Sequence, residues 1–111
     1  MEQIGVEEFD KVEVREGTIV SAEPNRKARN SAYKLVVDFG PEIGRKTSSA
    51  QITELYAPED LVGRQAVFCV NLSPMHIGSV RSEVRILGSD SSNGVVLLRP
   101  SMPVADGDRV F

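Results

Sequence analysis

The chain has 111 residues, a net charge of −3 and a composition that is 41% hydrophobic and 26% charged. This length fits a single domain over residues 1–111. The acidic balance argues against a dedicated nucleic-acid binder, because phosphate neutralisation by basic side chains supplies much of such a protein's affinity. The lack of a long apolar run argues against membrane insertion, and the acidic N-terminus and the single Cys69 predict a cytoplasmic protein.

The first half of the chain predicts three β-strands. Residues 11–20 alternate polar and apolar side chains and form the first strand, in which Gly17 indicates a bulge or a sharp bend. A basic loop over residues 24–32 separates this strand from a second one over residues 33–39. The third strand, residues 45–50, is composed mainly of small polar residues, which is unusual for a strand.

The second half predicts a helical segment and further strands on either side of one long loop. Residues 51–61 have helical spacing, and Pro58 fits the start of a second helix. The apolar segment 65–70 forms the fourth strand. Loop 71–83 contains a Pro, a Gly and the only His, and a long ordered loop on a small β-domain is typical of a functional site. Two further strands are predicted at residues 84–88 and 95–98, with a hairpin turn at Asn93-Gly94 between them.

These elements predict an all-β fold, a five-stranded Greek-key barrel of the OB-fold type with one short helix between strands three and four and with terminal extensions. A β-sandwich is the alternative, and the mid-chain helix favours the barrel. The terminal extensions carry apolar residues with little local core to join, which predicts a homodimer. These residues are Ile4, Val6, Phe9, Val104, Val110 and Phe111.

The sequence offers little for catalysis or for binding a metal or cofactor. A Cys69–His76 pair is conceivable, but Cys69 lies in the apolar segment 65–70, where a buried inert thiol is expected. One Cys and one His do not complete a tetrahedral zinc site, and no Gly-rich phosphate loop connects a strand to a helix. We therefore expect a protein that is not an enzyme and that holds no metal and no cofactor.

The basic residues have two interpretations, a solvated loop or a rim that contacts RNA phosphates. The candidate RNA-binding residues are Arg26, Lys27, Arg29, Lys34, Arg45, Lys46 and Arg81. Only Tyr33 and Tyr56 are plausible platforms for base stacking, so sequence-independent binding of single strands is weakly supported. Recognition of RNA would then follow its shape and its phosphates.

The order and spacing of four segments resemble the tRNA-binding domain family, which is found appended to methionyl- and phenylalanyl-tRNA synthetases and as free-standing small dimers. These segments are residues 9–19, 33–40, 56–64 and 71–83. Within that family, residues 47–53 and the segments Ser82-Glu83-Val84 and Leu87-Gly88 resemble the CsaA branch. The resemblance covers essentially the whole chain.

The resemblance implies a cytoplasmic homodimer that acts as an ATP-independent, export-related chaperone for unfolded or pre-export polypeptides. It directs the polypeptide site to Ser49, Gln51, Asn71, Met75, Ser82 and Glu83. Relatives that bind tRNA carry basic residues where this chain has Ser73, Met75 and His76, and losing such contacts weakens phosphate binding. Polypeptide binding is therefore favoured, tRNA binding is the alternative, and a dimer that serves only as an interaction platform is a third possibility.

Overall fold

The structure, a computed structural model, describes residues 1–111. The chain forms an antiparallel, nearly closed β-barrel. The strands in chain order are β1 (Val14–Pro24), β2 (Tyr33–Asp38), β3 (Arg45–Ala50), β4 (Gln65–Cys69), β5 (Met75–Ile77), β6 (Val80–Ser82), β7 (Arg85–Ile86), β8 (Gly88–Ser91), β9 (Gly94–Leu97) and β10 (Arg109–Val110). The barrel sheet has the order β3-β2-β1-β4-β7, and β10 pairs with β1. Strands β5 and β6 form one separate hairpin, and β8 and β9 form another.

The chain has three helices of four residues each, one before β1 and two between strands. They are α1 (Val6–Phe9), α2 (Gly40–Ile43) and α3 (Pro58–Leu61). None of them is long or apolar enough to cross a membrane. Helix α3 begins with Pro58, and the Asp60 carboxylate accepts a hydrogen bond from the Ala57 N–H at 3.0 Å, so the sequence itself sets the start of this helix.

Strand β1 is the central strand, because its two halves pair with different neighbours. Residues 14–18 pair with β4, and residues 18–24 pair with β2. A Cβ atom on Gly17, near the change of partner, would lie 2.7 Å from side-chain atoms of Val37 and Phe39. Glycine therefore permits the close approach of β1 to the core.

Every second side chain of β2 points into the barrel and contributes to the hydrophobic core. Leu35 and Val37 are fully buried, whereas Val36 between them is only partly buried. Phe39 packs edge-on against Phe68 of β4, with ring centroids 5.2 Å apart and planes at 85°. Each fully buried apolar side chain of this size stabilises the fold by about 2 kcal/mol. The barrel interior is thus a packed core and leaves ligands to its outer surface.

The barrel closes between β3 and residues 82–84, and we call this set of contacts the closing seam. The Thr47 N–H donates to Glu83 Oε1 at 3.0 Å, and the Glu83 N–H donates to the Thr47 carbonyl at 2.9 Å. The Thr47 N–H, more than any other group, lowers the pKa of Glu83 below its usual value of 4.5. The Thr47 hydroxyl and the charges of Lys46 and Arg81 lower this pKa as well, against the opposing effect of desolvation.

Serine side chains complete the closing seam. The Ser49 N–H donates to Ser82 Oγ at 3.0 Å, and the Ser48 hydroxyl, which is 1% exposed, donates to the Val84 carbonyl at 2.7 Å. In this part of the barrel, side-chain hydrogen bonds therefore join neighbouring segments that a ladder of backbone hydrogen bonds joins elsewhere. This closure explains why β3 is made of small polar residues.

Glu16 joins the C-terminal segment to β1. Its N–H donates to the Asp108 carbonyl at 2.9 Å, and its carbonyl accepts from the Gly107 N–H at 2.8 Å. The Glu16 carboxyl is buried, its Oε2 has no hydrogen-bond partner, and burial followed by the charge of Asp108 raises its pKa. Because the ionised form is disfavoured in the folded state, the contribution of Glu16 to stability rises as pH falls through this raised pKa.

The architecture agrees with the sequence in its main features. The all-β barrel and the short helix between the third and fourth strands are confirmed, and β3 spans the predicted residues 45–50. The first strand begins at Val14 rather than at Lys11 and continues to Pro24. A short C-terminal strand, β10, was not predicted from the sequence.

Three local predictions are wrong. Residues 51–57 form no helix, and only residues 53–55 form a turn. Ala57, which precedes Pro58, is extended with ψ of 157°, and Ile52 is buried in the core. The bulge of β1 lies at Val20, where the pairing with β2 shifts register, and not at Gly17. The second hairpin turn has Ser92 and Asn93 as its central residues, one position earlier than predicted.

We predict that Glu83→Gln removes an acid-dependent part of the stability. The ionised carboxylate favours the folded state, so its contribution is complete above the unfolded pKa near 4.5 and is lost as pH falls through the lower folded pKa. The variant should lose about 1 kcal/mol at neutral pH and match the wild type in acid. Urea unfolding across pH measures the difference, with Glu2→Gln at an exposed N-terminal site as the control. An equal loss at all pH values would contradict this role of Glu83.

Candidate ligand-binding site

The segment predicted as loop 71–83 contains the β5–β6 hairpin, which we call the 75–82 hairpin. Met75 pairs with Ser82, His76 with Arg81, and Ile77 with Val80. Val80 is 4% exposed, so its face of the hairpin is turned toward the barrel. The His76 and Arg81 pair lies on the opposite face, and both side chains are exposed. The hairpin thus presents the exposed Arg81 and His76 on its outer face above an apolar inner one.

The tip of the 75–82 hairpin rests on the basic loop. Gly78 has φ of +62°, and a Cβ atom there would lie 2.7 Å from the Lys27 carbonyl carbon and 2.8 Å from the Ala28 nitrogen. The Asn25 side-chain amide donates to the Ile77 carbonyl at 2.8 Å and to Ser49 Oγ at 3.0 Å. The basic loop, the hairpin and β3 therefore meet at Asn25.

The structure brings four of the proposed polypeptide-site residues together. Ser49, Ser82 and Glu83 belong to the closing seam, and Met75 lies across the hairpin from Ser82. The seam uses the Ser82 hydroxyl and one Glu83 oxygen as acceptors, so substitutions at these residues act on the fold as well as on a ligand. Met75 is 63% exposed and is the member of this group whose apolar surface is free in the monomer.

The other two proposed polypeptide-site residues lie apart from this group. Asn71 Oδ1 accepts from the Glu13 N–H at 2.9 Å, and Asn71 Nδ2 donates to the Lys11 carbonyl at 2.6 Å. Asn71 therefore fastens the segment before β1 to the end of β4. Gln51 is exposed and directly follows β3, two positions beyond Ser49.

Some of the proposed RNA-binding cations lie together, and the others lie apart from them. Arg26, Lys27 and Arg29 are exposed on the basic loop, beside the hairpin that carries Arg81. Arg45 is exposed at the start of β3, where its register partner on β2 is Asp38. The basic loop and the hairpin are thus the region in which several cations converge.

Two carboxylates reduce the positive potential of the remaining cations. The Lys34 ammonium lies 3.9 Å from the Glu23 carboxylate on the neighbouring strand. Lys46 and Arg81 both contribute to the lowered pKa of Glu83, which places a negative charge between them. Phosphate binding at Lys34, Lys46 and Arg81 therefore competes with partners inside the chain.

Neither proposed stacking tyrosine is free to stack on a base. Tyr33 is 9% exposed, and its hydroxyl donates to the Tyr56 carbonyl at 2.7 Å. The Tyr56 hydroxyl accepts from the Leu97 N–H at 3.0 Å, and the Arg64 guanidinium lies 5.1 Å from the Tyr56 ring centroid. The burial of Tyr33 and the contacts of Tyr56 agree with the weak support that the sequence gives to base stacking.

The single cysteine and histidine are used separately. Cys69 is 6% exposed in β4, and its thiol lies 3.6 Å from Asn71 Oδ1. His76 lies exposed on the outer face of the 75–82 hairpin. No cluster of three or more potential metal ligands is found.

Sequence reasoning missed Asn25, Thr47 and Gly78, which position the candidate site. Asn25 follows Pro24 at the start of the basic loop, where an ordinary turn residue is expected. Its contacts lie 24 and 52 residues away in the sequence, so no local pattern reveals them. Gly78 carried the clearest available signal, since Gly78-Ser79 is a dipeptide typical of the tight turn of a β-hairpin.

Comparison with known proteins places this geometry in a family. Residues 14–109 match the model of the putative tRNA binding domain. The chain is 41% identical to the chaperone CsaA of Bacillus anthracis, with a TM-score of 0.91, covering 99% of this chain and 100% of that one. It is 37% identical to the CsaA chaperone protein of Picrophilus torridus, with a TM-score of 0.93, covering 98% and 100% of the two chains.

A longer relative contains the same domain as one part. The methionine–tRNA ligase of Methanospirillum hungatei is 38% identical over 108 residues, which is 97% of this chain and 16% of the ligase. The chain therefore spans about one sixth of the length of the curated relatives that it matches. The match over residues 14–109 and the end-to-end likeness to two CsaA structures identify the chain as a CsaA-type member of the tRNA-binding domain family.

Proposed function

We propose that this chain is an ATP-independent, non-enzymatic chaperone that binds unfolded or pre-export polypeptides in the cytoplasm as a homodimer. The observation that carries the proposal is the end-to-end likeness to two structures described as CsaA chaperones. Binding would occur on the surface around the 75–82 hairpin, with Met75 as its apolar contact beside Ser49, Ser82 and Glu83. Gln51 and Asn71 lie apart from this group and would contact only a polypeptide that extends beyond it. Holding a polypeptide in this way needs no covalent chemistry, metal or cofactor.

The chemistry of the hairpin surface supports a polypeptide ligand. Met75 exposes a flexible thioether, which adapts its shape to many apolar side chains. The exposed Arg81 on the opposite face of the hairpin and the cations of the basic loop at its tip would attract acidic groups of a client. A surface that combines adaptable apolar area with mobile charges suits clients of varied sequence.

Exposed apolar side chains near both termini support the homodimer. Helix α1 buries none of its residues, and Val6, Phe9 and Val12 are 74%, 56% and 47% exposed. Val110 pairs with Val14, so the last residue, Phe111, which is 95% exposed, lies near this N-terminal segment. A clustered apolar surface of this kind is typical of an interface, and two-fold pairing is the usual form of a homo-oligomer.

Structure-selective tRNA binding is the second candidate, and the basic loop favours it. Arg26, Lys27 and Arg29 are exposed, and this loop contacts the hairpin that carries Arg81. This candidate relies on phosphate contacts, because the tyrosines are committed to the fold. The net charge of −3 and the carboxylates near Lys34 and Lys46 disfavour phosphate binding, so we rank tRNA binding below polypeptide binding.

Met75→Glu should weaken polypeptide binding by roughly tenfold or more, since burying a Met side chain is worth about 1.5–3 kcal/mol. Fluorescence anisotropy with labelled, reduced and carboxymethylated α-lactalbumin measures the affinity. Met102→Glu is the matched control, because Met102 is 68% exposed and lies outside the hairpin. Equal binding by wild type and Met75→Glu would remove Met75 from the site, and no binding by the wild type would refute the activity itself.

Phe9→Glu should convert the dimer into a monomer, because the charge would be buried against the apolar surface of the second copy. Sedimentation velocity at micromolar concentration measures the change. Val62→Glu is the control, since Val62 is 53% exposed on the turn before β4. A wild-type monomer at this concentration would contradict the proposed homodimer.

Replacing Arg26, Lys27 and Arg29 together by alanine tests tRNA binding. If these side chains each contact a phosphate, the slope of log affinity against log salt should become shallower by about 2–3. Filter binding of bulk tRNA across a salt series measures the slope, and Arg99→Ala, an exposed arginine of the C-terminal segment, is the control. A weak wild-type affinity with a flat salt response would reject the tRNA candidate.

A further inference from the structure

The 75–82 hairpin depends on few contacts for its position. It forms its own two-stranded sheet and shares no backbone ladder with the barrel. Two-stranded hairpins are marginally stable by themselves in water. The position of the hairpin is therefore set by contacts at its base and at its tip.

The base of the hairpin is held by the closing seam. The Thr47 hydroxyl donates to the Arg81 carbonyl at 2.6 Å, and Ser82 Oγ accepts from the Ser49 N–H at 3.0 Å. Both bonds involve the last residues of β6. They fix one end of the hairpin and leave the tip free to pivot unless another contact holds it.

Asn25 and Gly78 hold the tip. Both N–H groups of the Asn25 amide are used, one on the Ile77 carbonyl and one on Ser49 Oγ. Because the Ile77 carbonyl only accepts hydrogen bonds, this contact fixes which end of the amide faces the hairpin. Gly78 packs so closely on Lys27 and Ala28 that a side chain does not fit there.

Asn25 also organises the basic loop through its backbone. Its N–H donates to the Ala32 carbonyl at 2.9 Å, and its carbonyl accepts from the Ala28 N–H at 3.2 Å. Asn25 is 7% exposed, and its buried Oδ1, which has no hydrogen-bond partner, would lie 2.9 Å from a Cβ atom on Gly78. One residue thus closes the basic loop and fastens the hairpin tip and β3 to it.

We propose that Asn25 and Gly78 form a latch that holds the 75–82 hairpin on the basic loop, and that ligand binding at the hairpin requires the latched state. Asn25 is then a positioning residue, which sets the placement of the hairpin tip relative to the cations of the basic loop. The ligand part of this inference rests on the proposed polypeptide binding, whereas the latch itself does not. When only a fraction of the molecules is latched, the measured affinity falls by that fraction.

Two variants break the latch from opposite sides. Asn25→Ala removes both side-chain donors, and Asn93→Ala, in the exposed turn of the other hairpin, is its control. Gly78→Ala introduces a clash with the basic loop in addition to backbone strain. Gly63→Ala is its control, because Gly63 also has a positive φ, +87°, but has no atom within 4 Å of the added Cβ.

Hydrogen–deuterium exchange by mass spectrometry measures the latch without a ligand. In Asn25→Ala and Gly78→Ala, peptides covering residues 75–82 should exchange roughly tenfold faster, as expected when a buried hydrogen bond or two is lost. Peptides from β1 and β2 should keep their wild-type exchange, and both control variants should behave as the wild type. Unchanged exchange of the hairpin in both latch variants would overturn the proposal.

Polypeptide binding then tests what the latch does. The affinity for labelled, reduced and carboxymethylated α-lactalbumin should fall in both latch variants by the factor by which the latched fraction falls. Saturating polypeptide should restore the hairpin protection in Asn25→Ala. A merely structural role of Asn25 would loosen the hairpin and leave the affinity unchanged, which would overturn the positioning role. Absence of binding by the wild type would refute the proposed function alone, and faster hairpin exchange would still support the latch.

Discussion

The closing seam is the contact on which the rest of this structure depends. Strand β7, which lies at the end of the barrel sheet opposite β3, has only two residues. A backbone ladder of this length is too short to close the barrel on β3. The Glu83 carboxylate and the hydroxyls of Ser48 and Ser82 supply the missing bonds. Because the 75–82 hairpin leaves the barrel immediately before this seam, the same bonds that close the barrel also set the base of the candidate ligand surface.

This dual use changes how the polar residues of β3 and of segment 82–83 are interpreted. From the sequence, Ser49, Ser82 and Glu83 are assigned to the polypeptide site. In the structure, each of them makes a hydrogen bond that closes the barrel. A ligand at this surface would meet side chains that are already held in place, and it would not need to order them. The free apolar contact is supplied by Met75, which lies at the end of the hairpin near the seam.

The sequence predicts those features that depend on local pattern. The alternation in residues 33–39 and the polar strand 45–50 give β2 and β3 almost to the residue, and Pro58 marks the start of α3. The helical spacing of residues 51–57 is misleading, because tertiary contacts of Ile52 decide that segment. The site is less predictable than the fold, since Asn25 joins strands that are distant in sequence through a single amide.

The distribution of charge supports one of the two proposed ligand classes. Three cations of the basic loop are exposed without a carboxylate in contact, which is enough to attract anionic groups of either an RNA or a polypeptide. On the surface beyond the loop, Glu23 lies near Lys34, and Glu83 lies between Lys46 and Arg81. A phosphate chain that crosses this surface meets alternating charges, whereas a polypeptide can place apolar, acidic and basic groups in turn. The continuation of the surface through exposed Met75 therefore favours a polypeptide that uses the basic loop as one edge of its site.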